Sequence, residues 1–200
     1  MAFDRSSGHV EKAIFANGCF WCTEAVFSLL KGVRSVLPGY AIGRADGAAD
    51  IGKATSVSGV PARPTYERVC EGDSGFAEAL EIEFDPNIIS YRDLLTVFFY
   101  THDPTTLDRQ GPDIGAQYRS AIFYTDERQK AVARAFISEL EATRAYEKAI
   151  VTAIENLVVF YEAEDYHKEY YARHADQPYC ELVIAPKVEK LQKRFTELLK

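Results

Sequence analysis

The segment Lys12–Phe27, KAIFANGCFWCTEAVF, constrains this chain more than any other stretch. It reads as a short apolar strand over Lys12–Ala16, an Asn-Gly turn, and a helix over Cys19–Lys31 with Ala25, Val26, Leu29 and Leu30 toward a core. A strand that passes through so short a turn into a helix needs both element types in one core, and the rest of the chain repeats the mixture. Ala79–Phe84 sets Leu80, Ile82 and Phe84 against Glu81 and Glu83, which predicts a half-buried strand. Ser90 as N-cap opens a helix over Tyr91–Tyr100. A strand over Tyr118–Tyr124 precedes a long amphipathic helix, Asp126–Ala145, capped by Asp126 and facing the core with Val132, Ala135, Phe136 and Leu140. A strand at Leu157–Tyr161 and an aromatic-rich helix at Asp165–His174 follow. A last helix spans Lys187–Leu199, with Val188, Leu191, Phe195 and Leu198 as its stripe. The pattern predicts an α/β or α+β sandwich without strict βαβ alternation.

At 200 residues, the expectation is one domain over 1–200. Residues 41–64, AIGRADGAADIGKATSVSGVPARP, are rich in Gly and Ala and lie between periodic apolar segments. Structureless loops longer than about 12–15 residues are uncommon and tend to be functional, so this stretch reads as an insertion and not a linker. A net charge of −7 argues against nucleic acid or an anionic membrane as partner. The basic residues of Pro186–Lys200 are interleaved with Glu189 and Glu197, as on a solvated helix face. The longest uncharged apolar run, near Leu94–Tyr100, is too short to span a bilayer. The N-terminal MAFDRSSGHVEKA lacks the apolar core of a secretory signal, so a cytoplasmic enzyme or binding protein is expected.

Four cysteines do not make a disulfide scaffold in a chain of this length. Cys19 and Cys22 stand three apart, while Cys70 and Cys180 are isolated. Cys19 opens the helix, where unpaired backbone N–H groups and the helix dipole favour a thiolate. Cys22, one turn on, lies within reach as in a dithiol redox pair, and the spacing equally fits two small core residues.

GCFW at Gly18–Trp21 resembles the active-site motif of the A-type peptide methionine sulfoxide reductases. Gly39-Tyr40, Pro64-Thr65-Tyr66-Glu67-Arg68-Val69-Cys70, Gly75-Phe76-Ala77-Glu78-Ala79, Ser90-Tyr91, His102-Asp103-Pro104-Thr105 and Arg109-Gln110-Gly111 match in order. So do Asp113-Ile114-Gly115-Ala116-Gln117-Tyr118-Arg119-Ser120 and Ala163-Glu164-Asp165-Tyr166-His167, and the likeness covers most of Lys12–Lys187. The resemblance implies a two-layer sandwich with a mixed sheet, a ferredoxin-like α/β plait. It implies reduction of the S epimer of methionine sulfoxide, free or in proteins, by a monomer that needs no bound cofactor.

By resemblance Cys19 is the nucleophile and becomes a sulfenic acid, Phe20 and Trp21 line the pocket for the substrate methyl, and Glu78 is the acid. Glu78 also shares parity with Leu80, Ile82 and Phe84, which points it to the apolar face and raises its pKa. Tyr66 and Tyr118 match tyrosines that hydrogen-bond the sulfoxide oxygen, and Asp113 matches an aspartate that orders the site. A second cysteine must resolve the sulfenic acid into a disulfide, which thioredoxin then opens. Cys180 is the first candidate and Cys22, standing where the commoner motif has glycine, the second. Cys70 is expected to be buried and inert. His102 and His167 match positions with structural roles beside the site, and with no third ligand near His167 and His174 no metal is expected.

Phe76 replaces the histidine usual before the acid, and residues 41–64 exceed the family's usual connector, a length expected to tune access of protein-bound substrate. The competing readings are a thioredoxin-like dithiol oxidoreductase using Cys19 and Cys22, and a zinc-stabilised binding module.

Overall fold

The computed structural model describes residues 9–45 and 60–200. Strand β1 (Glu11–Asn17) leads through Gly18 into helix α1 (Phe20–Phe27), followed by β2 (Val33–Ala45), the one-turn α2 (Tyr66–Cys70), β3 (Ala77–Phe84) and α3 (Tyr91–Thr101). A short hairpin pairs β4 (Arg109–Gln110) with β5 (Asp113–Ile114). Then come β6 (Ser120–Tyr124), α4 (Glu127–Ala142), β7 (Ala153–Glu162), α5 (Tyr170–Arg173) and α6 (Ala185–Arg194). Strand β2 runs through residues 41–45 of the expected insertion, and 46–59 lie outside the described residues.

The mixed α/β character holds, and the main sheet closes into a barrel where the resemblance implies a two-layer ferredoxin-like plait. Strand β1 pairs antiparallel with β3 and β6, β2 antiparallel with β3 and β7, and β6 parallel with β7, which closes the barrel β1-β3-β2-β7-β6. Closure comes from β7, twice the length predicted by Leu157–Tyr161. It reaches Gly39–Ala45 on one side and Ala121–Tyr124 on the other. Small side chains make so narrow a ring possible: Ala16, Ala41, Ala77, Ala79 and Ala121 pack inside with Ile14 and Phe123. At Gly39 a Cβ would collide with the Phe160 ring and the Tyr161 carbonyl, so only glycine lets β2 lie this close to β7.

The larger core lies outside the barrel. Phe15, Leu80, Ile82 and Phe84 present their rings and branches to Leu94, Leu95, Phe98 and Phe99 of α3 and to Phe136 of α4. Helix α3 starts at a capping box in which Ser90 Oγ accepts from the Asp93 N–H and the Asp93 carboxylate accepts from the Ser90 N–H. Phe98 is fully buried against Phe15, Phe99 and His102, and its truncation to Ala costs about 3–5 kcal/mol. On α4 the buried stripe is Gln129, Ala133 and Phe136, and Ala135 faces water. The phase follows Gln129, whose amide reaches the Lys12 carbonyl at 2.6 Å. Among the described residues no helix is long and apolar enough to cross a membrane.

Candidate active site

The turn between β1 and α1 depends on Gly18. Its φ of 93° is in the left-handed region, and a Cβ there would stand 2.6 Å from the Gln110 side chain. Gln110 is itself fixed, accepting from the Asp103 N–H and donating to the Asp103 carbonyl. Cys19 therefore emerges as the N-cap of α1, 6% exposed, with its carbonyl accepting from Cys22 N–H at 3.1 Å. Asn17 Oδ1 takes the Thr23 hydroxyl at 2.5 Å and closes the turn from below.

The Cys19 and Cys22 thiols hydrogen-bond each other. Burial and the proximity of Cys22 and Glu78 push Cys19 well above the ordinary thiol range, against the lowering its helix position alone predicts. Cys22 is lowered to about 7, chiefly by the hydrogen bond from Cys19, with Lys187 and Tyr179 assisting. One negative charge thus forms near neutral pH and belongs to the pair.

The Tyr179 hydroxyl joins this pair to the acidic side of the site. It donates to Asp113 Oδ2 at 2.8 Å and stands 3.9 Å from Cys22 Sγ. Sequence reasoning passed over Tyr179 because nothing distinguishes it among twelve tyrosines except its place before Cys180.

Glu78 lies on β3 facing α1, 2% exposed, as its parity predicts. Its Oε2 accepts from the Phe20 N–H at 3.0 Å, filling the role that an N-cap side chain usually has. Burial, together with Asp113 and Cys22, raises its pKa to about 8 against the opposing effect of that N–H. Tyr66 opens α2, and Tyr118 ends a 3₁₀ turn (Ala116–Tyr118) and not the predicted strand. Both hydroxyls are half-buried and feel Glu78, which with burial pushes their pKa values upward and keeps them as O–H donors.

Phe20 is 1% exposed and packs in one apolar cluster with Tyr40, Ile42, Val69 and Phe76, so Phe76 joins the wall around Phe20. Trp21 is half-buried, its Nε1–H donating to His167 Nδ1 at 3.1 Å and its face stacked on Tyr170 at 3.6 Å. Tyr170 belongs to the region read as one helix over Asp165–His174. That helix is broken, with a 3₁₀ turn at Asp165–His167, Glu169 at φ 52°, and only then α5.

Cys180 is fully buried and packs in one cluster with Cys19, Cys22, Ala25, Ile184 and Val188. It starts a wide π turn, Cys180–Ile184, that runs into α6. Cys70 does not match the expectation of burial: it ends α2 on the surface, because that five-residue helix turns only Val69 inward. It still hydrogen-bonds Tyr66, at the rim of the site. His102 is buried and hydrogen-bonded to the Phe98 carbonyl and Ser120 Oγ, its pKa pushed down to about 4 by burial. Among the described residues no group of three or more His, Cys, Asp or Glu is arranged to hold a metal ion.

A family model for peptide methionine sulfoxide reductase matches residues 11–199. This chain belongs to that family. It is 50% identical over 190 residues to the peptide methionine sulfoxide reductase MsrA of Chromobacterium violaceum, covering 95% of this chain and 99% of that protein. Among solved structures, reduced Mxr1 from Saccharomyces cerevisiae matches with a TM-score of 0.72 and 31% identity, over 90% of this chain and 92% of that one. Mxr1 in complex with Trx2 matches with a TM-score of 0.51 and 22% identity, over 85% and 89%, a likeness of fold. Family membership removes the ground for the thioredoxin-like reading of Cys19 and Cys22.

Proposed function

We propose that this chain reduces the S epimer of methionine sulfoxide, free and in proteins, acting as a cytoplasmic monomer with Cys19 as nucleophile. The observation that carries the reading is Glu78, a buried carboxyl that keeps its proton to about pH 8 at the N-terminus of the helix that begins behind Cys19. A sulfoxide is reduced only if its oxygen is protonated as the sulfur is attacked, and a carboxyl of ordinary pKa holds no proton at neutral pH. Because Oε2 accepts from the Phe20 N–H, Oε1 is the oxygen that carries the proton.

The Cys19–Cys22 pair supplies one thiolate, and transfer of the shared proton to Cys22 leaves Cys19 free to attack the sulfoxide sulfur. Glu78 protonates the oxygen, with Tyr66 and Tyr118 donating to it as charge develops. Asp113 acts through Tyr179, holding that hydroxyl beside the thiols. Phe20 and Trp21 take the methyl group. The protonated oxygen then passes to Cys19 as the substrate S–O bond and the transient Cys19–sulfur bond break, so the substrate sulfur gains the two electrons that Cys19 loses, and the products are methionine and a Cys19 sulfenic acid. Attack by the Cys180 thiol, or by Cys22, then gives a disulfide and water, and a thioredoxin-type dithiol returns both thiols. Burial of Cys180 beside Cys19 and Cys22 supports it as first resolver.

The test is a single turnover of fully reduced protein, without added reductant, on separated S and R epimers. Methionine formed from the S epimer alone, and lost in Cys19→Ser, is the expected result. Turnover of neither epimer, or of both equally, overturns the reading.

A further inference from the structure

We propose that Glu24 is a positioning residue for the methyl-binding pocket: its carboxyl group pins the Glu169–Tyr170 peptide and so holds the Tyr170 ring flat against Trp21. The proposal rests on the reading of Trp21 as a wall of that pocket.

Glu24 is on α1, three residues after Trp21, so the two side chains leave neighbouring positions of one helix. It is 5% exposed, an ionisable side chain on a helix whose other described residues are mostly buried. An apolar residue of similar volume would serve the core at least as well. What the carboxyl group adds is two acceptors, one for each of two adjacent main-chain donors. The Glu169 N–H reaches Oε1 at 2.8 Å and the Tyr170 N–H reaches Oε2 at 3.3 Å. Both donors lie at the start of α5, where a helix leaves N–H groups without partners, and α5 has no side-chain cap of its own.

The clamp falls at a backbone turn that L residues seldom make. Glu169 stands at φ 52°, in the left-handed region that L side chains rarely occupy. That turn breaks the helix expected over Asp165–His174 and delivers Tyr170 onto the indole. The rings lie 5° from parallel with centroids 3.6 Å apart. His174 backs Tyr170 at 4.3 Å and 23°, and His167 holds the indole N–H, so Trp21 is fixed by face and by edge. Glu24 also lines a cavity of about 760 Å³ with Glu169, Tyr171 and Val188, which leaves room for the segment to move once the clamp is cut.

Trp21 is the only tryptophan in the chain, so intrinsic fluorescence reads this stack directly. The experiment compares reduced full-length protein with Glu24→Leu, Glu24→Gln, Tyr170→Ala and the Glu24→Leu/Tyr170→Ala double variant. Glu24→Leu and Tyr170→Ala are each expected to shift Trp21 emission to longer wavelength and make it more accessible to a soluble quencher. In single turnovers, both raise the half-saturating S-sulfoxide concentration about tenfold and change the limiting rate less than about threefold. Glu24→Gln keeps one acceptor oxygen and recovers part of both effects. The double variant is no worse than Tyr170→Ala, because both act on one contact.

Unchanged emission and half-saturation in a folded Glu24→Leu protein, or additive losses in the double variant, overturn the proposal. If Glu24→Leu does not fold, unchanged emission in both Tyr170→Ala and Glu24→Gln overturns it. A wild-type protein inactive on sulfoxide defeats the functional reading alone, and the fluorescence series still decides whether Glu24 holds Tyr170 on Trp21.

Discussion

Glu78→Gln separates the two consequences of burying a carboxyl group, one for catalysis and one for stability. Burial takes the pKa of Glu78 from 4.5 to about 8. At pH 7.5 a carboxyl of the lower value is protonated in about one copy in 1,000 and one of the higher value in about three of four, so burial enlarges the acid form roughly 10³-fold. Glutamine cannot transfer a proton, so the single-turnover rate near neutral pH should fall about 10²–10⁴-fold. In the wild type, rate should rise with pH as the Cys19–Cys22 pair ionises near 7 and fall as Glu78 ionises near 8. The variant should lack the alkaline fall.

Stability moves the other way. The folded protein binds the Glu78 proton more tightly than the unfolded chain, so Glu78 withdraws stability as pH rises from 4.5 to about 8. The limiting slope is roughly 1.4 kcal/mol per pH unit, or about 2 kcal/mol accumulated between pH 6 and pH 8. The variant has no such slope. Relative to wild type it should gain about 2 kcal/mol over that interval, about 4–8 °C in thermal midpoint for a chain of this size. Urea unfolding at the two pH values, beside quench-flow turnovers from pH 5.5 to 9.5, measures both quantities. Parallel pH dependence of stability in the two proteins, or an alkaline limb that persists in Glu78→Gln, would refute the assignment of a buried, protonated Glu78.

Gly18→Ala forces a Cβ into the Gln110 side chain at a positive φ, and should cost about 2 kcal/mol in urea unfolding while displacing Cys19 and slowing turnover. Rapid quenching and mass mapping of a single turnover should find Cys19–Cys180 as the first disulfide, and Cys180→Ser should retain one turnover but form a disulfide more slowly; Cys19–Cys22 as the first species in wild type would transfer the role to Cys22. In native reduced protein a bulky maleimide should label Cys70 first, since Cys19, Cys22 and Cys180 are buried. Labelling of Cys180 ahead of Cys70 would show that the π turn at Cys180–Ile184 opens readily.

What the sequence discloses of this site is what lies in contiguous motifs or on a single periodic element. Parity along β3 is enough to place Glu78 on the buried face, because alternation is a local property. The turn at Gly18 and the caps at Ser90 and Asp126 are legible for the same reason. Tyr179, Tyr170 and Glu24 are not, since each acquires its place from a partner far away in the chain: Asp113, Trp21 and the Glu169–Tyr170 peptide. The break at Glu169 is invisible for a related reason. Asp165–His174 has the composition of a helix, and a carboxyl group about 145 residues upstream takes its amides instead. Barrel closure depends on how far β7 extends beyond its apolar centre, and Glu155 and Asn156 conceal that extension in the alternation. The surface position of Cys70 follows from α2 being a single turn, too short for periodicity to say which side faces in.

The closed ring has a consequence for the company this protein keeps. Oxidised and partly unfolded polypeptides are rich in segments seeking a strand to pair with, and a sheet that ends in free N–H and C=O groups offers one. Here each of the five barrel strands is already flanked by two others, with the parallel β6–β7 pairing as the last seam. What the ring leaves for an added strand is short overhang, such as residues 33–37 of β2 and 157–162 of β7, and not a whole edge strand. A reductase built on such a ring presents its substrates with side chains and only short runs of unpaired main chain.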